Sequence, residues 1–199
     1  MAPAYPFETL PDLLAPGLDL AFVGINPSLY SVRQGHYFAR ATNRFWPAFS
    51  QSQLSAPVRQ ALGLALLGPA HDQELLRFGI GFTDVVKRPS NNSGQLSPAD
   101  FQEWAPRLRA RLEHYGVRVA CFHGLTAFRP FLRLGLGQAG IRDGDVQLGP
   151  QPYRLGPTRF FVVPNPSPAN ARYTVRDQAA WYDRVAAFLA AAGAAPERP

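Results

Sequence analysis

The chain has 199 residues, 46% of them apolar and 17% charged, a balance that suits one folded domain and excludes an intrinsically disordered chain. Its formal net charge of +6 attracts polyanions, a property shared by many basic proteins that have no anionic partner. A single cysteine, Cys121, excludes an internal disulfide, an iron–sulfur cluster and a structural zinc site built on cysteines.

Residues 1–9 and 193–199 are rich in proline and alanine and read as loose tails around a core of about 11–192. No basic-then-apolar export pattern opens the chain, and no stretch is long and apolar enough to span a bilayer. The expected location is therefore the cytoplasm, on the nucleoid if the source is prokaryotic. Leu20–Ile25 is the first short apolar run, and Asn43–Gln53 and the segments 56–62 and 71–78 read as helices. Phe82–Val86 is the second run. Ser97-Pro98-Ala99-Asp100 then opens a helix, with a capping hydroxyl, proline at the first helical position and an acid three residues after the cap. Phe101, Trp104, Leu108 and Leu112 recur at helical spacing until Gly116 stops them. Val117–Phe122 is the third run, with Cys121 as a buried inert thiol. Leu125–Leu134 reads as a helix, and Tyr153–Leu155 as one arm of a hairpin with Arg159–Val163, which contains the fourth run, Phe160–Val163. A last helix runs from Val175 to about Ala192, capped by Thr174. Short apolar runs bounded by Gly, Pro or Asn are strands covered on both faces. Their alternation with helices predicts an α/β protein with an open, mostly parallel sheet and helices on both sides. Its site is then built by loops leaving the carboxyl ends of the strands.

Two of those loops carry unusual chemistry. The first leaves Leu20–Ile25 as Gly24-Ile25-Asn26-Pro27-Ser28 and continues through Tyr30, His36, Tyr37 and Phe38 to Asn43-Arg44-Phe45-Trp46. Exposed rings beside polar groups can stack on planar bases, although such rings also pack under loops as a satellite core. The last loop, Pro164-Asn165-Pro166-Ser167-Pro168-Ala169-Asn170-Ala171-Arg172-Tyr173, is stiffened by prolines and carries an arginine, as a wedge into a base stack would be. Ser167 is a candidate phosphate donor.

Together these loops resemble the mismatch-specific uracil-DNA glycosylase and thymine-DNA glycosylase family. The Gly-Ile-Asn-Pro run, the following Phe, the Asn-Arg-Phe-Trp run and the Asn-Pro-Ser run with a downstream arginine carry the resemblance. Leu14-Ala15-Pro16-Gly17-Leu18 and Gly81-Phe82-Thr83-Asp84 extend it. It implies a single three-layer α/β/α domain over 1–199 and, without cofactor or metal, a monomeric enzyme that acts on double-stranded DNA. The expected reaction is removal of uracil opposite guanine by base flipping in excision repair, extended to mismatched thymine and modified pyrimidines. Carried over by position, Asn26 holds the attacking water, Phe38 stacks on the flipped base, and backbone groups at Ile25 and Phe38 bond the base. Tyr37, Ser31 and Asn165 complete the base pocket, and the segment Ser167, Pro168, Ala169, Asn170, Ala171 and Arg172 contacts DNA as the wedge.

Three departures from the family stand out. Ser28 replaces the glycine that closes the first motif, and the second motif has one extra residue before its arginine, which leaves open which residue reads the orphaned guanine. Asp84 stands where the family has asparagine or lysine. An asparagine has no titratable group, so Asp84 is the candidate general base, or the carboxylate that stabilises a cationic sugar; the plain alternative is a structural aspartate at a strand end. Lys87, the only lysine, and Arg88 are expected to meet phosphate or stay solvated, and Arg107, Arg109 and Arg111 to form a solvated face. With one lysine, hydrolysis by water is expected rather than Schiff-base strand cleavage. His36 is expected to shape the pocket or touch DNA, and His71, His114 and His123 have no cluster that suggests a metal. Alternative readings are another cluster-free uracil-DNA glycosylase branch and a non-catalytic nucleic-acid-binding module of the same fold. A small-molecule hydrolase is a third, weakened by the absence of a phosphate loop and of a nucleophile elbow.

Overall fold

A computed structural model describes residues 5–193, with side chains to residue 191. Five strands form one sheet in the order β2-β1-β3-β5-β4: β1 Leu20–Gly24, β2 Ile80–Asp84, β3 Val119–His123, β4 Gly149–Leu155 and β5 Thr158–Val163. The first three and β5 run parallel, and β4 pairs antiparallel with β5. Helices cover both faces, giving the expected three-layer α/β/α fold. They are α1 Leu29–Gln34, α2 Phe45–Gln51, α3 Ala56–Leu62, α4 Pro98–Tyr115, α5 Leu125–Pro130 and α6 Val175–Gly193.

Alternation along each strand divides the core in two. Leu20, Phe22, Ile80, Phe82, Val119, Cys121, Phe161 and Val163 face one layer, where Phe45 and Phe49 of α2 and Tyr182 of α6 meet them. Ala21, Val23, Ala120, Phe122, Phe160 and Val162 face the other, against Trp104, Leu108 and Leu112 of α4 and Phe128 of α5. Strands buried on both faces gain from uninterrupted hydrophobicity, which is why the runs were legible as strands.

The edges of the elements moved. β2 begins at Ile80 and ends at Asp84, two residues earlier than the apolar run, and β3 extends to His123. Helix α1 lies within what reads as loop; its Ser28 cap accepts from Ser31 N–H at 3.0 Å, a local bond that six residues of weak periodicity do not reveal. Ser28 sits at φ −75°, so the missing glycine costs the turn nothing. Asn43–Gln53 divides into α2 and a 3₁₀ turn, Gln53–Ser55, and 71–78 is largely 3₁₀. The chain after α5 passes into one π-helical turn, Phe131–Gly135. Around α4 the Ser97–Asp100 capping box and a left-handed Gly116 form as expected.

Of the tails, 1–4 and 194–199 lie outside the described residues, but 5–9 pack rather than hang loose. Tyr5 and Phe7 sit 5.3 and 6.1 Å from the Trp104 ring, and Thr9 Oγ1 donates to Lys87 O at 2.6 Å. Leu13 then bridges β2, with mutual bonds to Phe82 of 2.9 Å. Gly81 makes this approach possible, since a Cβ there would overlap the Leu13 carbonyl oxygen and the Leu18 side chain. Gly81→Ala is expected to lower stability by about 1–3 kcal/mol through overpacking, read as a lower urea midpoint at unchanged slope.

Candidate active site

The loops leaving β1, β2 and β5, together with the end of β3, enclose a cleft of about 360 Å³ at the carboxyl end of the parallel strands. Ile25, Asn26, Ser31, Tyr37, Phe38, Asp84, Asn165, Ser167, Pro168 and Ala169 all line it. The first and last loops are fastened by Arg44. Its backbone N–H donates to Pro166 O at 3.0 Å, and its Nη1 donates to Ser167 O at 2.9 Å and Asn170 O at 3.1 Å. Asn170 Nδ2 closes the last loop into a tight hairpin of its own, residues 165–170, by donating to Asn165 O at 3.0 Å, while Asn165 Oδ1 accepts from Ser167 N–H at 2.9 Å. Exposed Pro168 and Ala169 form the rim. Arg172 does not reach the cleft; its guanidinium lies 5.6 Å from the Tyr173 ring, and Ala171 is likewise outside the lining. The projecting tip is small and stiff rather than cationic.

Asn26 is oriented by its surroundings. Its Nδ2 donates to Arg88 O at 3.0 Å and Ser90 Oγ at 2.8 Å, and Ser90 Oγ donates in turn to Asn92 O at 2.7 Å. Acceptors on the amide nitrogen's side leave Oδ1 to bond a water or a substrate hydroxyl. Phe38 stacks one face on Phe45 at 4.4 Å and 18° and lines the cleft. Its φ of +53° is rare for a residue with a side chain and costs about 1–3 kcal/mol, a strain that fixes ring and amide together. Tyr37 is 3% exposed, stacks on Phe82 and donates to Pro11 O at 2.9 Å, so it forms wall rather than a mobile stacking surface. The Ile25 carbonyl already accepts from Val86 N–H at 2.9 Å. His36 lies outside the lining and pairs with buried Asp72 at 3.1 Å, which also accepts from Tyr37 N–H at 2.9 Å. That contact shapes the loop rather than touching a ligand.

Asp84 ends β2 at 3% exposure, with Oδ2 buried and unpartnered and Lys87 Nζ 3.9 Å away. Burial pushes its pKa up, neighbouring Asp12 adds to the rise, and Lys87 and Arg111 oppose it; the result is about 6. Oδ1 lies against Gly24, where a Cβ would collide with it, so in this rotamer the carboxylate fills the space that glycine leaves. Contrary to expectation, Lys87 is fully buried, donating to Asp12 at 3.0 Å, and Arg88 pairs with Asp100. Arg111 also leaves the solvated face, donating to Asp12 Oδ2 at 3.0 Å and Asp84 O at 2.9 Å, while Arg107 and Arg109 form exposed pairs with Glu103 and Glu113. Burial acts to raise the Asp12 pKa, but Lys87, Arg111 and the Thr83 hydroxyl more than offset it and hold it low.

The sequence reading missed His123 and the Ser90–Ser93 segment, both in the lining. The signal for the second was its place after a parallel strand. His123 is buried and, through burial, pushed down to about 3, hence neutral. Tyr182 OH accepts from Gln178 Nε2 at 3.3 Å, which leaves its own proton for His123 Nε2 at 3.0 Å and puts the ring proton on Nδ1, buried without a partner. No group of three His, Cys, Asp or Glu is placed to hold a metal among the described residues.

An α/β/α sheet whose strand-end loops enclose an oriented amide, a stacking ring and a carboxylate matches a known enzyme class. The family model of the uracil DNA glycosylase superfamily matches residues 11–190, and the chain belongs to that superfamily. Membership brings DNA as the substrate and hydrolysis of the bond between uracil and deoxyribose as the reaction class. None of the described helices is long and apolar enough to cross a membrane. Arg44→Ala is expected to release the last loop, with hydrogen exchange at Asn170 N–H rising by about tenfold or more while the sheet amides keep their protection.

Proposed function

We propose that this chain is a monofunctional, monomeric glycosylase that flips uracil opposite guanine out of double-stranded DNA in excision repair. Mismatched thymine and modified pyrimidines are further substrates, and the whole chain acts as one domain. The carrying observation is the convergence of Asn26, Phe38 and Asp84 on one cleft with Pro168–Ala169 at its rim. A flipped pyrimidine stacks on the free side of Phe38, within reach of Ser31 and Asn165, and the hairpin occupies the gap it leaves in the duplex, where Ser167, Asn170, Ala171 and Arg172 contact the strand.

The bond from the base nitrogen to C1′ breaks, and its electron pair leaves with the base. A water held by Asn26 Oδ1 forms the new C–O bond at C1′ and passes its proton to the Asp84 carboxylate. Backbone donors along the pocket stabilise the departing anion; one such donor is typically worth about 2.7–4 kcal/mol of barrier. Lys87, locked on Asp12 beneath the cleft, has no path to C1′ as an amine nucleophile, which supports hydrolysis without strand cleavage.

A base must be ionised to act, so single-turnover excision is expected to fall about tenfold per pH unit below about 6 and to level off above 7. Asp84→Asn and Asn26→Ala are each expected to slow excision about a hundredfold or more on G·U duplexes, with G·T and A·U duplexes as comparisons; an unchanged Asp84→Asn rate would end the assignment. Equal rates on G·U and A·U would end the mismatch reading.

Stability should move the other way. A folded pKa raised above the unfolded value means that the native state prefers the protonated acid. Its contribution is fully present below about pH 4 and lost as pH rises through 6. Asp84→Asn is therefore expected to be more stable than the parent at pH 7.5 by up to about 3 kcal/mol in urea unfolding, the difference closing between pH 6 and 4.

A further inference from the structure

A second recess, of about 270 Å³, lies beside the hairpin on the outer face of α6, lined by Arg172, Tyr173, Asp177, Ala180, Trp181 and Arg184. Each arginine lies by a ring: Arg172 is 5.6 Å from Tyr173, and Arg184 is 4.4 Å from Trp181, whose edge meets Phe161 in the core. None of the ion pairs formed among the described residues includes Arg172 or Arg184. The nearby carboxylates are engaged elsewhere. Asp177 accepts from Thr174 N–H at 2.8 Å and Thr174 Oγ1 at 2.7 Å, capping α6, and Asp183 accepts from Gln53 N–H at 2.7 Å.

From these contacts we infer that the recess is a second DNA contact, which takes the phosphodiester backbone of the duplex arm running past the hairpin. Arginine forks held against aromatic rings keep their N–H groups for phosphate oxygens and lose little freedom on binding. Arg172 stands two residues beyond Asn170, the hairpin residue held by Arg44, and three beyond Ala169 at the rim of the cleft. Arg184, on α6, lines the same recess as Arg172, so one stretch of backbone passing the hairpin can meet both. The arginine that the sequence suggests as a wedge thus acts beside the lesion, on the backbone. The inference rests on the superfamily's action on DNA, not on which base is removed or how.

Binding of an undamaged duplex, followed by fluorescence anisotropy across about 50–200 mM salt, tests it. The Arg172→Gln/Arg184→Gln double variant is expected to reduce the slope of log K against log salt by about 2 and to weaken binding about tenfold or more at the low-salt end. The Arg172→Lys/Arg184→Lys variant should keep most of the slope, which separates a lost contact from a damaged fold. Arg107→Gln/Arg109→Gln on α4 makes the same change in net charge and should leave the slope as in the parent. A parental slope in the first variant, or an equal fall in the α4 variant, overturns the inference. Uracil excision by the same preparations reports on the preceding proposal separately, because undamaged DNA presents no flipped base.

Discussion

The carboxylate of Asp12 ties the N-terminal segment to three cation or hydroxyl donors around the end of β2. It accepts from Thr83 near the end of β2, from Lys87 in the loop after it and from Arg111 on α4. Buried cations are tolerated only when paired and bonded; removing the partner of such a pair typically costs about 3–5 kcal/mol. The N-terminal segment is therefore not a tail beside a sheet. It supplies the negative charge that lets Lys87 and Arg111 lie under the cleft, and those two cations in turn temper the rise in the Asp84 pKa caused by burial. Fold and chemistry share one electrostatic assembly, and Asp84 is its least satisfied member.

That assembly also explains which parts of the protein were legible in the sequence. The strands, α4, α6 and the two site loops follow from local signals: continuous apolar runs, a capping box, proline and glycine at fixed places. The convergence of Asn26 with Asn165, Ser167 and Pro168 follows from parallel strands that put their carboxyl ends together. Lys87, Arg111 and residues 5–9 were misjudged because charge and tail composition say nothing about a partner 75 or 99 positions away. His123 was missed for a related reason. A lone histidine in an apolar run carries no sign of the Gln178–Tyr182 chain that fixes its proton, since both residues come from α6. Arg172 was assigned by position in a motif, which does not reveal that its guanidinium lies by Tyr173 instead of in the cleft.

Asp84 and Gly24 face each other across paired strands, in register. A Cβ at Gly24 would meet Asp84 Oδ1, so the carboxylate in this rotamer occupies space that glycine leaves open. In the proposed reaction the oriented amide and the buried acid are complementary: Asn26 gives the water its place, and Asp84 gives its proton a destination.

The way Arg44 holds the last loop has a different kind of consequence. All three of its bonds there end on main-chain oxygens, those of Pro166, Ser167 and Asn170. The anchor is indifferent to side-chain identity at the tip, so Pro168 and Ala169 are free to vary without unmooring the segment. Evolution, or a protein engineer, can alter the tip that the proposed function sets against the double helix and keep the mounting unchanged.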